Sequence, residues 1–173
     1  KRMCSAAQTI LVDSQTGKRH VVESYDVPAA RVQALPFVAP RYVLESVDDD
    51  GAPSLPPKYL FYPAQFWIHK NHERLLQSLA DAKRQARGIP LLLVGSEKNN
   101  YARVQALIAE LQLQDNVVIL GYVENGRMGS LYRKARALVM PTFFGPTNIP
   151  PLEAFACGCP VAVSDIYGMR EQV

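Results

Sequence analysis

The sequence predicts an α/β fold of the doubly wound, Rossmann-like kind, in which crossover helices join the strands of a parallel sheet, and two observations carry that prediction. From Tyr59 onward, short apolar runs of β type alternate with segments of helical period. Within each run apolar residues follow one another without polar alternation, as strands covered on both faces require. The runs are Tyr59 to Tyr62, Leu91 to Val94, Val117 to Leu120, Ala137 to Met140 and Val161 to Val163.

The helices between them are equally marked. After the first run, Asn71 is placed to cap a helix that sets Leu75, Leu76 and Leu79 on one face, and Gly88 followed by Pro90 stops it. The second crossover aligns Tyr101, Val104, Leu107, Ile108 and Leu111, and the third aligns Met128, Leu131, Tyr132 and Ala135. The opening differs in kind. Thr9 to Val12 reads as a strand, Ser14 as the cap of a helix reaching about Tyr25, and Val32 to Phe37 as another strand, too little to fold alone. Three aspartates, Gly51, Pro53, Pro56 and Pro57 then suggest an extended connection. The expected division is therefore an opening segment over 1–46, a linker over 47–57 and the α/β domain over 58–173. Gly168-Met169-Arg170-Glu171 looks like the start of a helix leading to a further strand, so the domain is expected to continue.

Composition narrows the function classes. The 173 residues are 48% hydrophobic and 20% charged, as folded soluble domains are. The net charge of +3 is spread out. Its clusters, Lys83, Arg84 and Arg87, then Arg133, Lys134 and Arg136, read as solvated helix faces, and no nucleic-acid partner is expected. Cys4, Cys157 and Cys159 form no even disulfide framework and no zinc set, which fits thiols in a reducing cytosol. No apolar run approaches the roughly 18 residues of a membrane span. A cytoplasmic location follows as an expectation.

The chemistry concentrates between Met140 and Asp165, MPTFFGPTNIPPLEAFACGCPVAVSD. A strand end gives way to a loop of Gly, Pro, Thr and Asn, then to a short helix with Pro150 and Pro151 in its first turn, where proline's missing N–H is no loss. The backbone N–H groups of Thr147, Asn148 and Ile149 are placed to face an anion such as a diphosphate; an ordinary Pro-rich loop is the alternative. Glu153 suits two neighbouring ribose hydroxyls, one per oxygen, or else serves as a first-turn acid that favours the helix dipole. Lys70, ahead of the expected cap at Asn71, can reach a phosphate oxygen or lie solvated. Gly95 and Gly121 end two strands; they admit a nucleobase against the backbone, with Tyr122 and Val123 beside it, or merely permit tight turns. His69 and His72 lack any metal or triad arrangement and read as surface residues.

Taken in order, YLFYPAQFWIHKNHERLLQSLA, LLLVGS, VVILGYV, LYRKARALVMPT and IPPLEAFACGCPVAVSD resemble the C-terminal domain of group 1 (family four) retaining glycosyltransferases of GT-B fold. The resemblance covers about residues 57–173, and the opening segment looks like the last strand–helix–strand of that family's N-terminal domain. It implies a two-domain enzyme whose C-terminal half binds a nucleotide-diphosphate sugar, while the other half binds a sugar or lipid-linked acceptor. It also implies retaining hexosyl transfer in polysaccharide or glycolipid synthesis, no cofactor and no metal, and peripheral contact of the parent with the inner face of the cytoplasmic membrane. Taken alone, the fragment would be inactive.

In that family a Glu-x7-Glu motif ends in a ribose-holding glutamate, matched by Glu153, and a phosphate-neutralising lysine is matched by Lys70. Two positions depart. Gly145 stands where the first glutamate is usual, and Gln65 stands where an arginine is usual. Thr147 and Asn148 are then the candidates to take over the sugar contacts. The alternatives are a nucleotide-sugar epimerase or hydrolase of the same fold, and a non-catalytic sugar-nucleotide-binding domain. A receiver-type regulatory domain would need acidic strand ends, but Ala64, Gly95, Gly121 and Pro141 stand there instead.

Overall fold

Two parallel sheets organise the residues that the computed structural model describes, which are 2–46, 55–145 and 147–173. Most of the expected linker, 47–54, lies outside them. The opening segment runs α1 (Arg2–Ala6), β1 (Ile10–Val12), α2 (Gln15–Tyr25), β2 (Val32–Ala34) and α3 (Arg41–Leu44). Ser14 caps α2, its hydroxyl accepting from the Gly17 N–H at 2.9 Å. Asp26, at φ 55°, closes the helix in the left-handed region that short polar side chains tolerate. β1 and β2 pair in parallel. The second strand is shorter than the sequence suggested. Leu35 still donates to the Val12 carbonyl at 2.7 Å, but Pro36 has no N–H with which to extend the ladder.

The larger sheet is built from β3 (Leu60–Pro63), β4 (Leu91–Val94), β5 (Val117–Ile119), β6 (Ala137–Met140) and β7 (Val161–Val163), in the order β5-β4-β3-β6-β7, with every pairing parallel. Its helices are α4 (His72–Arg84), α5 (Tyr101–Glu110), α6 (Asn125–Lys134) and α7 (Ile149–Ala156). The pleat divides side chains between two cores. Tyr62, Leu91 and Leu93 join Leu76, Leu79, Val104 and Leu107 beneath α4 and α5, whereas Phe61, Leu92 and Val94 join Met128, Leu131, Tyr132 and Ala154 beneath α6 and α7. Each of the Leu, Val, Phe and Met side chains contributes about 1.5–3 kcal/mol on burial. The run at β7 was expected to be covered on both faces but is only partly buried, because it lies at the edge of the sheet.

α3 packs against α6 and α7. Gly129 permits this, since a Cβ there would run into the Val43 carbonyl oxygen. Ser46 fastens the approach: its hydroxyl donates to the Gly126 carbonyl at 2.6 Å and accepts from the Ser130 N–H at 3.2 Å. The two basic clusters, at and just beyond the ends of α4 and α6, are exposed, although Arg133 also donates to the Ser46 carbonyl at 2.8 Å. Among the described residues no helix is long and apolar enough to cross a membrane.

The strand order determines where a ligand can enter. The chain passes from β3 outward to β4 and β5, then returns to place β6 on the other side of β3. Connections leaving β3 and β6 therefore diverge at their carboxyl ends and open a crevice, the usual ligand position in such sheets.

Candidate functional site

Two loops flank that crevice, and the sequence stitches them together. β3 runs into Ala64–Lys70, whose end is a single 3₁₀ turn over Ile68–Lys70, and β6 runs into the stretch from Pro141 to Asn148. The Phe143 N–H and the Thr142 hydroxyl both donate to the His69 carbonyl, at 2.9 and 3.0 Å. Asn71 donates from Nδ2 to the Pro141 carbonyl at 2.9 Å. Its side chain is thus engaged across the crevice and does not cap α4 as the sequence suggested; its backbone takes φ 58° instead. Lys70 Nζ donates to Asn148 Oδ1 at 3.1 Å, while the Lys70 carbonyl accepts from the Tyr62 hydroxyl at 2.8 Å. Lys70 is half-buried, and desolvation pulls its ammonium below the usual lysine range. It makes no ion pair among the described residues. A partly dehydrated cation satisfied by one neutral amide has charge to offer an incoming anion.

His72, expected at the surface, is 1% exposed and lies between the rings of Phe66 (4.8 Å, stacked) and Tyr62 (4.9 Å). Burial, partly offset by the Ala64 backbone and reinforced by the charge of Lys70, lowers the imidazole to about 4 and keeps it neutral. The spacing of His72, Leu75, Leu76 and Leu79 was the missed signal, since it puts the histidine on the core stripe of α4.

On the other side of the crevice, Glu153 projects from α7, which has proline at its first positions and no acid in its first turn. The dipole-favouring alternative is thereby removed. Glu153 is 4% exposed, yet it lines an open cleft of about 330 Å³ together with Gln65, Gly95, Tyr122 and Val123. Its oxygens each accept from a phenol: Tyr132 donates to Oε2 at 2.6 Å, and Tyr42 of α3 donates to Oε1. Desolvation raises both phenols above the ordinary tyrosine range, so both remain donors.

Gly95 lines this cleft, and Gly121 stands next to Tyr122, which also lines it. A Cβ on Gly95 would strike the Ala64 carbonyl oxygen, so that position requires glycine, while Gly121 takes φ 70°, which favours it. The Gly95 N–H donates to the Gly121 carbonyl at 2.8 Å and ties the two turns together. Gln65 is exposed at the rim, where its Oε1 accepts from the Trp67 indole at 2.9 Å. Tyr122 is 73% exposed and Val123 partly buried.

The loop before α7 faces the smaller sheet. Thr147 donates through its hydroxyl to Asp13 Oδ2, and a cavity of about 150 Å³ between them is lined by Asp13, Ser14, Thr147, Leu152 and Gln172. The Asn148 N–H, expected to face an anion, instead donates to Gln172 Oε1 at 2.9 Å, and Gln172 Nε2 returns a bond to the Asn148 carbonyl at 3.0 Å. The N–H groups of Thr147 and Ile149 have no partner among the described residues. The Ile149 side chain is 39% exposed. Gly145 has φ 124°, and a Cβ would lie 3.0 Å from Asn148 Nδ2. Glu171, next to Gln172 in sequence, accepts no bond from this loop among the described residues; it accepts from the Gln15 and Thr16 N–H groups at 2.8 Å at the start of α2. Sequence reasoning placed Tyr132 only in the core and passed over Tyr42, Asp13 and Gln172. No group of three His, Cys, Asp or Glu residues that could hold a metal occurs among the described residues.

Glu153, Gly95 and Tyr122 thus share one cleft with Ala64 and Gln65, and the half-buried Lys70 ends the same loop that follows β3. Residues 47–173 match the glycosyl transferases of group 1, and the chain belongs to that family. Among its relatives is the O-antigen chain mannosyltransferase RfbU of Salmonella typhimurium, 27% identical over 162 residues, which make up 94% of this chain and 43% of that protein. Solved structures with the same fold include sucrose-phosphate synthase from Thermosynechococcus elongatus, with TM-score 0.80 and 23% identity over 98% of this chain and 44% of that one. Another is Anabaena HepE in complex with UDP and glucose, with TM-score 0.77 and 17% identity over 96% of this chain and 47% of that one. The chain spans less than half the length of each of these three proteins.

Proposed function

We propose that this chain is the donor-binding part of a retaining hexosyltransferase, taking a nucleotide-diphosphate sugar whose sugar passes to an acceptor hydroxyl. One observation carries the reading: Glu153, held by two phenols, borders the same cleft as Gly95 and Tyr122, on the turns that end β4 and β5. The nucleobase lies along those turns and its ribose diol meets Glu153. The diphosphate then extends toward Lys70 and the free N–H groups of Thr147 and Ile149.

Transfer breaks the bond between the anomeric carbon and the diphosphate oxygen. Negative charge develops on that oxygen, and Lys70 and the start of α7 meet it. The acceptor oxygen forms the new bond from the same face and passes its proton to the departing diphosphate oxygen. The charge is met without a metal in this proposal, so chelators leave transfer unchanged. The RfbU relative makes mannose the first sugar to test, and glycan or glycolipid assembly at the inner membrane face is the proposed setting. The small sheet with α1 and α2 is assigned to the edge of an acceptor-binding domain, whereas α3 packs on the donor side.

Calorimetric titration with UDP, GDP and ADP tests the reading. One of them should bind, and Lys70→Ala should weaken that diphosphate roughly tenfold or more while sparing the parent nucleoside. Equal losses for both would remove the role of Lys70, and no binding at millimolar concentration would remove the donor site. Gly145 and Gln65 favour a second reading, a non-catalytic sugar-nucleotide-binding domain. Product analysis with a nucleotide-sugar and a glycan acceptor separates the two.

A further inference from the structure

The carboxylate of Glu153 is held from both ends by groups that the family assignment does not explain. Tyr132 is wholly buried, anchored by edge contact with Phe61 at 4.9 Å, and donates to Oε2 at 2.6 Å. Tyr42 comes from a different part of the chain and donates to Oε1. It belongs to α3, which Gly129 and Ser46 lock onto α6. A carboxylate offers about four lone-pair sites. With one phenol on each oxygen, each oxygen keeps one site, and Glu153 borders the cleft in which a ligand can reach it.

We propose that Tyr42 and Tyr132 are positioning residues for donor ribose, clamping the Glu153 carboxylate so that its two open lone-pair sites meet the vicinal hydroxyls. The inference rests on the donor-site reading and adds to it the groups that set ribose selectivity. Without the clamp, Glu153 can rotate about its terminal torsion, whose wells are broad. It then meets the diol in one orientation only part of the time. Tyr42 also borders the cleft itself, so the clamp makes α3 a wall of the nucleotide site.

The test compares UDP, GDP or ADP, whichever binds best, with its 2′-deoxy counterpart by calorimetry on the 173-residue chain, Tyr132→Phe and Tyr42→Phe. The unsubstituted chain should prefer the ribo form by roughly ten- to a hundredfold, the range for hydrogen bonds to a charged group. Each phenylalanine variant should reduce that ratio at least threefold. Circular dichroism checks that each is folded, and Tyr42→Phe, which leaves the buried Tyr132 in place, keeps the test open if Tyr132→Phe does not fold. A ratio unchanged in a folded variant overturns the clamp while the donor site stands. No nucleotide binding by the unsubstituted chain, or binding with no preference for ribose, overturns the role of Glu153 as well.

Discussion

Acidification should destabilise this chain through one residue beneath the crevice. His72 has its imidazole lowered from the ordinary 6.5 to about 4 by burial. The folded state therefore holds it neutral while the unfolded chain takes up a proton, and between those two values the unfolded state binds more protons. Stability from this group is intact above pH 6.5 and declines as pH falls toward 4. A shift of one unit corresponds to about 1.4 kcal/mol, so the whole window is worth about 3 kcal/mol and pH 5 already costs about 2 kcal/mol. Urea unfolding at pH 7.5, 6 and 5 measures it. His72→Phe keeps an aromatic ring between Phe66 and Tyr62 without a titrating group, and its curve should fall less steeply by that amount. Carboxylates common to both proteins cancel in the comparison. Parallel curves for the two proteins would refute the argument.

Three other perturbations have defined outcomes. Gly145→Glu, which restores the family's usual acid, should weaken nucleotide binding, because φ 124° and the nearby Asn148 amide disfavour a side chain there at about 1–3 kcal/mol; tighter binding would show that the loop adapts. Gly129→Ala should lower stability by about 2 kcal/mol in urea unfolding by pushing α3 off α6, and an unchanged midpoint would contradict the close approach. Gln172→Ala removes both bonds to the Asn148 backbone, so the Asn148 amide should exchange faster in hydrogen-exchange measurements, and an unchanged rate would argue against that tether.

The parallel sheet was readable because its strands are unbroken apolar runs: Leu91–Val94, Ala137–Met140 and Val161–Val163 occur with the ends that the sequence suggested. The Ser14 cap was readable for the same local reason, a side chain acting on its own helix. Residues that act across the fold were not. Asn71 carries the composition of a cap, yet its amide is drawn to a carbonyl seventy residues away in sequence. Tyr132 fitted an apolar stripe, and nothing in the stripe says where a buried hydroxyl must find its partner. Tyr42 reaches Glu153 only because a glycine on another helix lets α3 come close. His72 was misread because its polarity outweighed its helical spacing.

Glu171 and Gln172 are adjacent, yet they hold different parts of the molecule. The first grips the opening turn of α2, and the second brackets the backbone of Asn148, the residue that touches Lys70. A rocking of the small sheet away from the large one must therefore either break the grip on α2 or drag this short segment along, and with it the amide that holds the lysine. Two successive side chains thus tie the opening turn of α2 and the lysine's amide partner to one short segment.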